Sequence, residues 1–268
     1  MPEFEEVQPQ TYHQIIGASV IGPLHVIKDM PCQDACAFKT LPDGFGVIAV
    51  ADGLGSALKS EIGASSAVNA VVQRVDEILN GKSALEDLSE VAKEAVFSAR
   101  KALEKKSIEL QCELRDLACT LIVIVMHKNS IVVAHIGDGA VIAETHDGLK
   151  LISAPDESSE YANEVSPITG KDWEQVLRIS PQTTDVLGVM AFTDGCQRAA
   201  LRKTQDSLLP FDGFCGTLFS YMKEVKDLKE AEEDIKGLLL SKKVCENSED
   251  YKTLVIAFFN EVGRSNAQ

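Results

Sequence analysis

Two kinds of apolar spacing divide this chain. Short runs rich in Val, Ile and Ala occupy residues 12–20, 35–41, 45–51, 119–126, 131–136, 140–144, 149–152, 174–179, 186–192 and 251–259. Runs of that length read as strands, and those that are apolar throughout read as strands covered on both faces. Elsewhere the spacing is helical. Ala64, Val68, Val71, Val72, Val75, Ile78 and Leu79 recur at three and four residues, and Asn80-Gly81 ends the series. Leu85, Leu88, Val91, Ala92, Ala95, Ala99 and Leu103 form a second such face, with Ser83 and Glu86 spaced as a capping box. Residues 211–224 and 228–240 give two more helices.

Strands and helix pairs come in blocks, without the strand–helix alternation of a parallel sheet. The pattern predicts an α+β protein with mainly antiparallel sheets. Pro42-Asp43-Gly44 and His146-Asp147-Gly148 sit between paired runs as hairpin turns. Residues 21–34 and 153–172 read as loops, and a loop as long as the second is usually functional. The expected organisation is a flexible tail at residues 1–10, one domain at 11–260 and a second tail at 261–268.

Candidate chemistry lies where strands stop. The chain has six Asp-Gly pairs, and three of them, Asp52-Gly53, Asp138-Gly139 and Asp194-Gly195, each close a strongly apolar run. A single Asp-Gly after a strand is most often a plain turn. Three delivered by core strands suggest carboxylates gathered in one place. Clustered carboxylates resist ionisation unless a positive charge sits among them, and a hard divalent cation with oxygen ligands suits them. Asp34 at the start of one strand and Asp250 just before the last add to the set.

Composition changes the picture in a few places. A net charge of −15 argues against nucleic acid as the main partner. It leaves phosphoproteins open, because bound cations reverse the local sign. The seven cysteines show no disulfide framework or zinc spacing, so reduced and mostly buried thiols are expected. With no apolar signal core at the amino terminus and no run long enough to cross a membrane, the reading is a cytoplasmic protein without a membrane partner.

Pro31-Cys32-Gln33-Asp34-Ala35, Val50-Ala51-Asp52-Gly53-Leu54-Gly55-Ser56, Ile136-Gly137-Asp138, Phe192-Thr193-Asp194-Gly195 and Asp250-Tyr251-Lys252-Thr253-Leu254 stand in order along the chain. Together they resemble the successive motifs of the metal-dependent serine/threonine protein phosphatases of type 2C. The nearest pattern is the bacterial subgroup with a PxQDA-like motif and DGxGS. The resemblance covers roughly residues 12–259. It implies a four-layer α-β-β-α sandwich, two antiparallel sheets flanked by helix pairs. It also implies two Mn²⁺ or Mg²⁺ ions at one edge. Carried over by motif, Asp52 bridges both ions, the Gly53 carbonyl binds one, and Asp194 and Asp250 hold the first. Asp34 contacts the cluster directly or through water, and Asp138 supports it from behind. Phosphate then leaves phosphoserine or phosphothreonine by attack of a metal-activated water, with no protein nucleophile. The implied partner of this monomer is a phosphorylated protein, a Ser/Thr kinase or that kinase's targets.

Departures from the family pattern qualify this. Leu54 stands where many relatives carry histidine, so the proton for the leaving oxygen must come from elsewhere. Gln33 replaces a frequent glutamate. Lys28 and His25 are candidate contacts for the substrate phosphate, against plain surface or structural roles. Asp156 and Glu157 are candidates for a third metal, against a solvated acidic loop. The only tryptophan, Trp173, marks a partner surface or, more often, a packed core position. Leu54 and Gln33 also keep open a non-catalytic relative acting as a binding or regulatory module. A calcium-binding structural domain lacks the alternating acidic loop that it needs.

Overall fold

The computed structural model describes residues 10–22, 31–82, 87–155, 165–205, 207–246 and 248–262. Twelve strands are seen among them: β1 Gln10–Val20, β2 Ala35–Thr40, β3 Phe45–Ala51, β4 Leu121–His127, β5 Ser130–Ile136, β6 Ala140–Thr145, β7 Gly148–Ser153, β8 Arg178–Ile179, β9 Val186–Phe192, β10 Leu201–Lys203, β11 Leu208–Pro210 and β12 Lys252–Val262. The helices are α1 Ser60–Leu79, α2 Leu88–Glu109, the single turns α3 Trp173–Val176 and α4 Gln197–Ala200, α5 Asp212–Glu224, α6 Leu228–Leu239 and the short α7 Lys242–Cys245.

The strands form two five-stranded sheets, ordered β1-β12-β9-β6-β7 and β2-β3-β4-β5-β8, plus a β10-β11 hairpin. Every neighbouring pair is antiparallel. The period of two explains the layering. On β3, Val47, Ala49 and Ala51 pack with α1 and α2, whereas Ile48 and Val50 point into the space between the sheets. On β12, Leu254 and Ile256 meet α5 and α6, whereas Val255 and Ala257 face the other sheet. Three apolar layers therefore lie between four structural ones, as the resemblance implied. Each fully buried Val, Leu or Ile contributes roughly 1.5–3 kcal/mol, which is why these strands read as continuous apolar runs.

Some elements differ from expectation. Residues 174–179 are not one strand. Asp172 accepts hydrogen bonds from the Gln175 and Val176 amides, and Trp173 turns inward against Phe97, ring centres 4.8 Å apart. That packing makes one helical turn and leaves only Arg178–Ile179 to pair with β5. Trp173 is thus a core residue. Ser83, Leu85 and Glu86 fall outside the described residues. The cap of α2 is Asp87, whose side chain accepts from the Ser89 amide at 2.9 Å. Gln10, Glu261 and Val262, which the sequence assigns to the tails, lie in paired strand. No helix among the described residues is long and apolar enough to cross a membrane.

Candidate metal centre

The carboxylates meet where the two sheets end on the same side. Asp34 precedes β2, Asp52 follows β3, Asp138 follows β5, Asp194 follows β9 and Asp250 precedes β12. The first three come from one sheet, the last two from the other, so the centre exists only because the sheets are stacked.

Asp34 is buried. The Thr193 hydroxyl donates to its Oδ2 at 2.8 Å, and its Oδ1 has no hydrogen-bond partner among the described residues. Burial pushes its carboxyl up to about 7, even though hydrogen bonds from Thr193 and Thr253 pull the other way. Burial, then Asp34, Asp194 and Asp138, hold Asp52 well above the usual carboxylate range. Asp194 rises to about 6 through burial, then through Asp138 and Asp250. The shared cause is that desolvation and like charge both disfavour the ionised form. Asp250 sits on the exposed rim and accepts from the Tyr251 amide at 2.8 Å.

The backbone is gripped on every side. The Asp52 amide donates to Thr120 Oγ1 at 3.0 Å, and the Thr120 amide donates back to the Asp52 carbonyl at 2.8 Å. The Gly53 amide donates to the Gln33 carbonyl, and a Cβ on Gly53 would lie 2.6 Å from that oxygen, so only glycine fits. The Thr253 amide donates to Thr193 Oγ1 at 3.0 Å, and the Thr253 hydroxyl reaches Ser19 at 2.7 Å. Tyr251 is buried, its phenol pushed up to about 12 by burial first and then by charge at Cys32, Asp250, Asp34 and Asp52.

This arrangement suits a hard divalent cation. Its donors are carboxylate oxygens in a buried setting, one of them with no partner, and burial holds their protons more tightly than usual, a cost that a bound cation would offset by taking the protons' place. Among the described residues, no three His, Cys, Asp or Glu side chains close around a single point. Water and backbone carbonyls must therefore complete any coordination sphere, as Mg²⁺ commonly requires.

The structure thus brings together Asp34, Asp52, Gly53, Asp138 and Asp194, with Asp250 at the rim. His25, Lys28, Asp156 and Glu157 lie outside the described residues. The sequence reading missed Thr120, Thr193, Thr253 and Gln197, which touch the aspartates or the backbone beside them, and Arg178, which donates to the Gly137 carbonyl next to Asp138. Thr193 and Thr253 were legible as hydroxyls flanking two of the motifs. Thr120, Gln197 and Arg178 carried no local signal.

The sequence also holds one Cys-x5-Arg spacing, Cys196 to Arg202, which invites a thiol mechanism. The fold rules it out. Cys196 is fully buried, and burial raises its thiol. The Arg202 guanidinium lies 3.8 Å from the Phe211 ring and donates to the Arg198 and Leu201 carbonyls, so no phosphate cradle faces the sulfur. All seven cysteines are free thiols.

Residues 21–239 match the family profile described as protein phosphatase 2C. The chain is 33% identical over 255 residues to serine/threonine-protein phosphatase 3 of Escherichia coli (strain K12), covering 92% of this chain and 99% of that one. Two solved structures share the fold. The catalytic domain of the serine threonine protein phosphatase PstP, in complex with two manganese ions, aligns with a TM-score of 0.62 at 16% identity over 94% of this chain and all of that one. Staphylococcus aureus Stp1 aligns at 0.63 and 12% identity over 97% of this chain and all of that one.

Proposed function

Because the chain belongs to the protein phosphatase 2C family, we propose that this serine/threonine protein phosphatase depends on two divalent cations held by its strand-end aspartates. One observation carries the reading. Asp34, Asp52 and Asp194 come from distant parts of the sequence and from both sheets, yet burial raises the proton affinity of all three, and Asp34 and Asp194 raise that of Asp52 further. Such a cluster is costly without compensating positive charge.

Asp52 interacts with both Asp34 and Asp194 and would serve both cations. Asp194, with Asp250 on the rim, would hold the first, and the Gly53 carbonyl would add an oxygen. Asp34 serves the cluster through the oxygen that has no protein partner. Mn²⁺ and Mg²⁺ both suit these oxygens, and Mn²⁺ is the one found with the PstP catalytic domain. When bound, the pair supplies acidified water and positive charge for displacement at phosphorus.

The chain's own groups do the rest. Thr193 fixes Asp34 through Oδ2 and leaves Oδ1 directed elsewhere. Thr120 pins the Asp52 backbone so that its carboxylate projects from the strand end. The Cys32 thiol beside the cluster is not ionised to compete as nucleophile, since burial and Asp34 push it up to about 12. Leu54 has no proton to give, so the leaving serine or threonine oxygen takes its proton from water. The substrate is a phosphorylated protein. Acting against a Ser/Thr kinase in the cytoplasm is the setting that best suits it.

Hydrolysis of p-nitrophenyl phosphate and of a phosphothreonine peptide tests this with Mn²⁺, with Mg²⁺ and with EDTA. Turnover is expected with cation only, and Asp52→Asn and Asp194→Asn are each expected to lose about 100-fold or more. Turnover that survives EDTA, or either variant at wild-type rate, would refute the two-cation reading.

A further inference from the structure

The Gly137-Asp138 turn is where the chain crosses from one sheet to the other, between β5 and β6. It touches both halves of the centre. Gly137 takes a φ of +112°, and a Cβ there would lie 2.5 Å from Thr120 Cγ2. Thr120 is the residue that brackets the Asp52 backbone. On its other side the turn meets α4, which starts directly after the Asp194-Gly195-Cys196 segment.

Both carbonyls of the turn are held by side chains, one from each side. Arg178 of β8 donates from Nη2 to the Gly137 carbonyl at 2.7 Å. Gln197 of α4 donates from Nε2 to the Asp138 carbonyl. Arg178 is itself fixed. Its Nη1 donates to the Ala154 carbonyl at 2.9 Å, and its Nη2 lies 3.2 Å from Nδ1 of His135. His135 is fully buried, with Nδ1 2.8 Å from the Ser153 hydroxyl. One guanidinium thus joins the turn, β5 and the end of β7.

We propose that Arg178 and Gln197 form a two-sided clamp on the Gly137-Asp138 turn that sets the separation of Asp52 from Asp194 and thereby the protein's affinity for Mn²⁺. The inference rests on the two-cation reading of the site. Both are positioning residues, since neither reaches the reacting atoms. Arg178 is suited to the task because a planar fork holds several acceptors in fixed directions, which a lysine ammonium does not. Gln197 is suited because it carries a donor without adding charge to a cluster of carboxylates. Its position directly after the Asp194 turn means that any slip of the Asp138 carbonyl is passed to Asp194.

Arg178→Lys and Gln197→Met keep the net charge at each position, so a change in cation affinity reports geometry and not electrostatics. Calorimetric titration of the metal-free proteins with Mn²⁺ is the readout. Each variant is expected to bind about 10- to 100-fold more weakly, the range for groups that support metal ligands, while KM for a phosphothreonine peptide at saturating Mn²⁺ stays within about twofold. Because the two act on one turn, the double variant should fall short of the product of the single losses. Mn²⁺ affinities within about twofold of wild type in both single variants would overturn the clamp. So would a rise in KM matching the loss of affinity, which would mark a general disturbance of the cleft. A wild-type protein that binds Mn²⁺ but leaves the peptide intact would instead sink the two-cation phosphatase mechanism, and the titration would still decide the clamp.

Discussion

Thr193 serves two partners at once, donating its proton to Asp34 and accepting one from the Thr253 amide. A buried hydroxyl in that position has no tolerated substitute of the same shape. Thr193→Val should leave a buried amide and a buried carboxylate each one hydrogen bond short. The expected cost is about 2–6 kcal/mol, from two unsatisfied groups at 1–3 kcal/mol each, read by urea unfolding of the metal-free protein. A change under about 0.5 kcal/mol would show that the pair carries no stability. Residue identities of this kind were only half legible. The aspartates announced themselves because an acidic residue at the end of an apolar run is chemically out of place. Their hydroxyl and amide supports are ordinary polar residues, and nothing in their own neighbourhood distinguishes them.

Elements were read more completely, because the strands are covered on both faces and the helices on one. Burial on alternate sides makes β3, residues 121–126 of β4 and residues 254–259 of β12 uniformly apolar, whereas α1 and α2 keep a helical stripe. The short elements escaped: α4, α7, the β10-β11 hairpin and α3, of which α3 is decided by Trp173 against Phe97 and by Arg100, which donates to the Ile168 and Gly170 carbonyls at 2.8 Å each. None of that is local to residues 174–179. At this scale the clearest test is the α2 cap. Asp87→Ala removes the acceptor for the Ser89 amide and should cost about 1 kcal/mol in chemical unfolding, within the range for such caps. Asp87→Asn should recover most of it, since an amide oxygen accepts the same hydrogen bond.

For the whole molecule, the carboxylate cluster makes the stability of the metal-free protein run against pH. Asp34 and Asp194 bind protons up to about 7 and about 6 when folded, against an ordinary value near 4 when unfolded. Between those limits the native state holds more protons than the unfolded one, so stability falls as pH rises. His13 acts in the opposite sense. Burial lowers it, and its contribution is lost as pH falls below about 6.5. His127, also lowered by burial, joins His13 on the opposing side, but Asp52 adds to Asp34 and Asp194 on the other, so the EDTA-treated protein should melt lower at pH 8 than at pH 5. Mn²⁺ should reverse that order, because it replaces the protons and binds best where they have left. At 100 times its dissociation constant, one cation adds about 2.7 kcal/mol. Scanning calorimetry at both pH values decides it, and a metal-free protein more stable at pH 8 would contradict the cluster.

The sequence by itself determined the antiparallel, layered α+β architecture and the place of five aspartates at strand ends, because the period of apolar residues and an acid at a strand end are both local facts. Its hairpins at Asp43-Gly44 and Asp147-Gly148 stand for the same reason. Tertiary structure alone decided which side chains support those aspartates. Thr120 meets Gly137, Arg178 meets Ala154 and Gln197 meets Asp138 across gaps of many residues, and such meetings are fixed by how two sheets stack. It also decided that Cys196 and Arg202, spaced in sequence like a catalytic pair, face different surroundings and share no site.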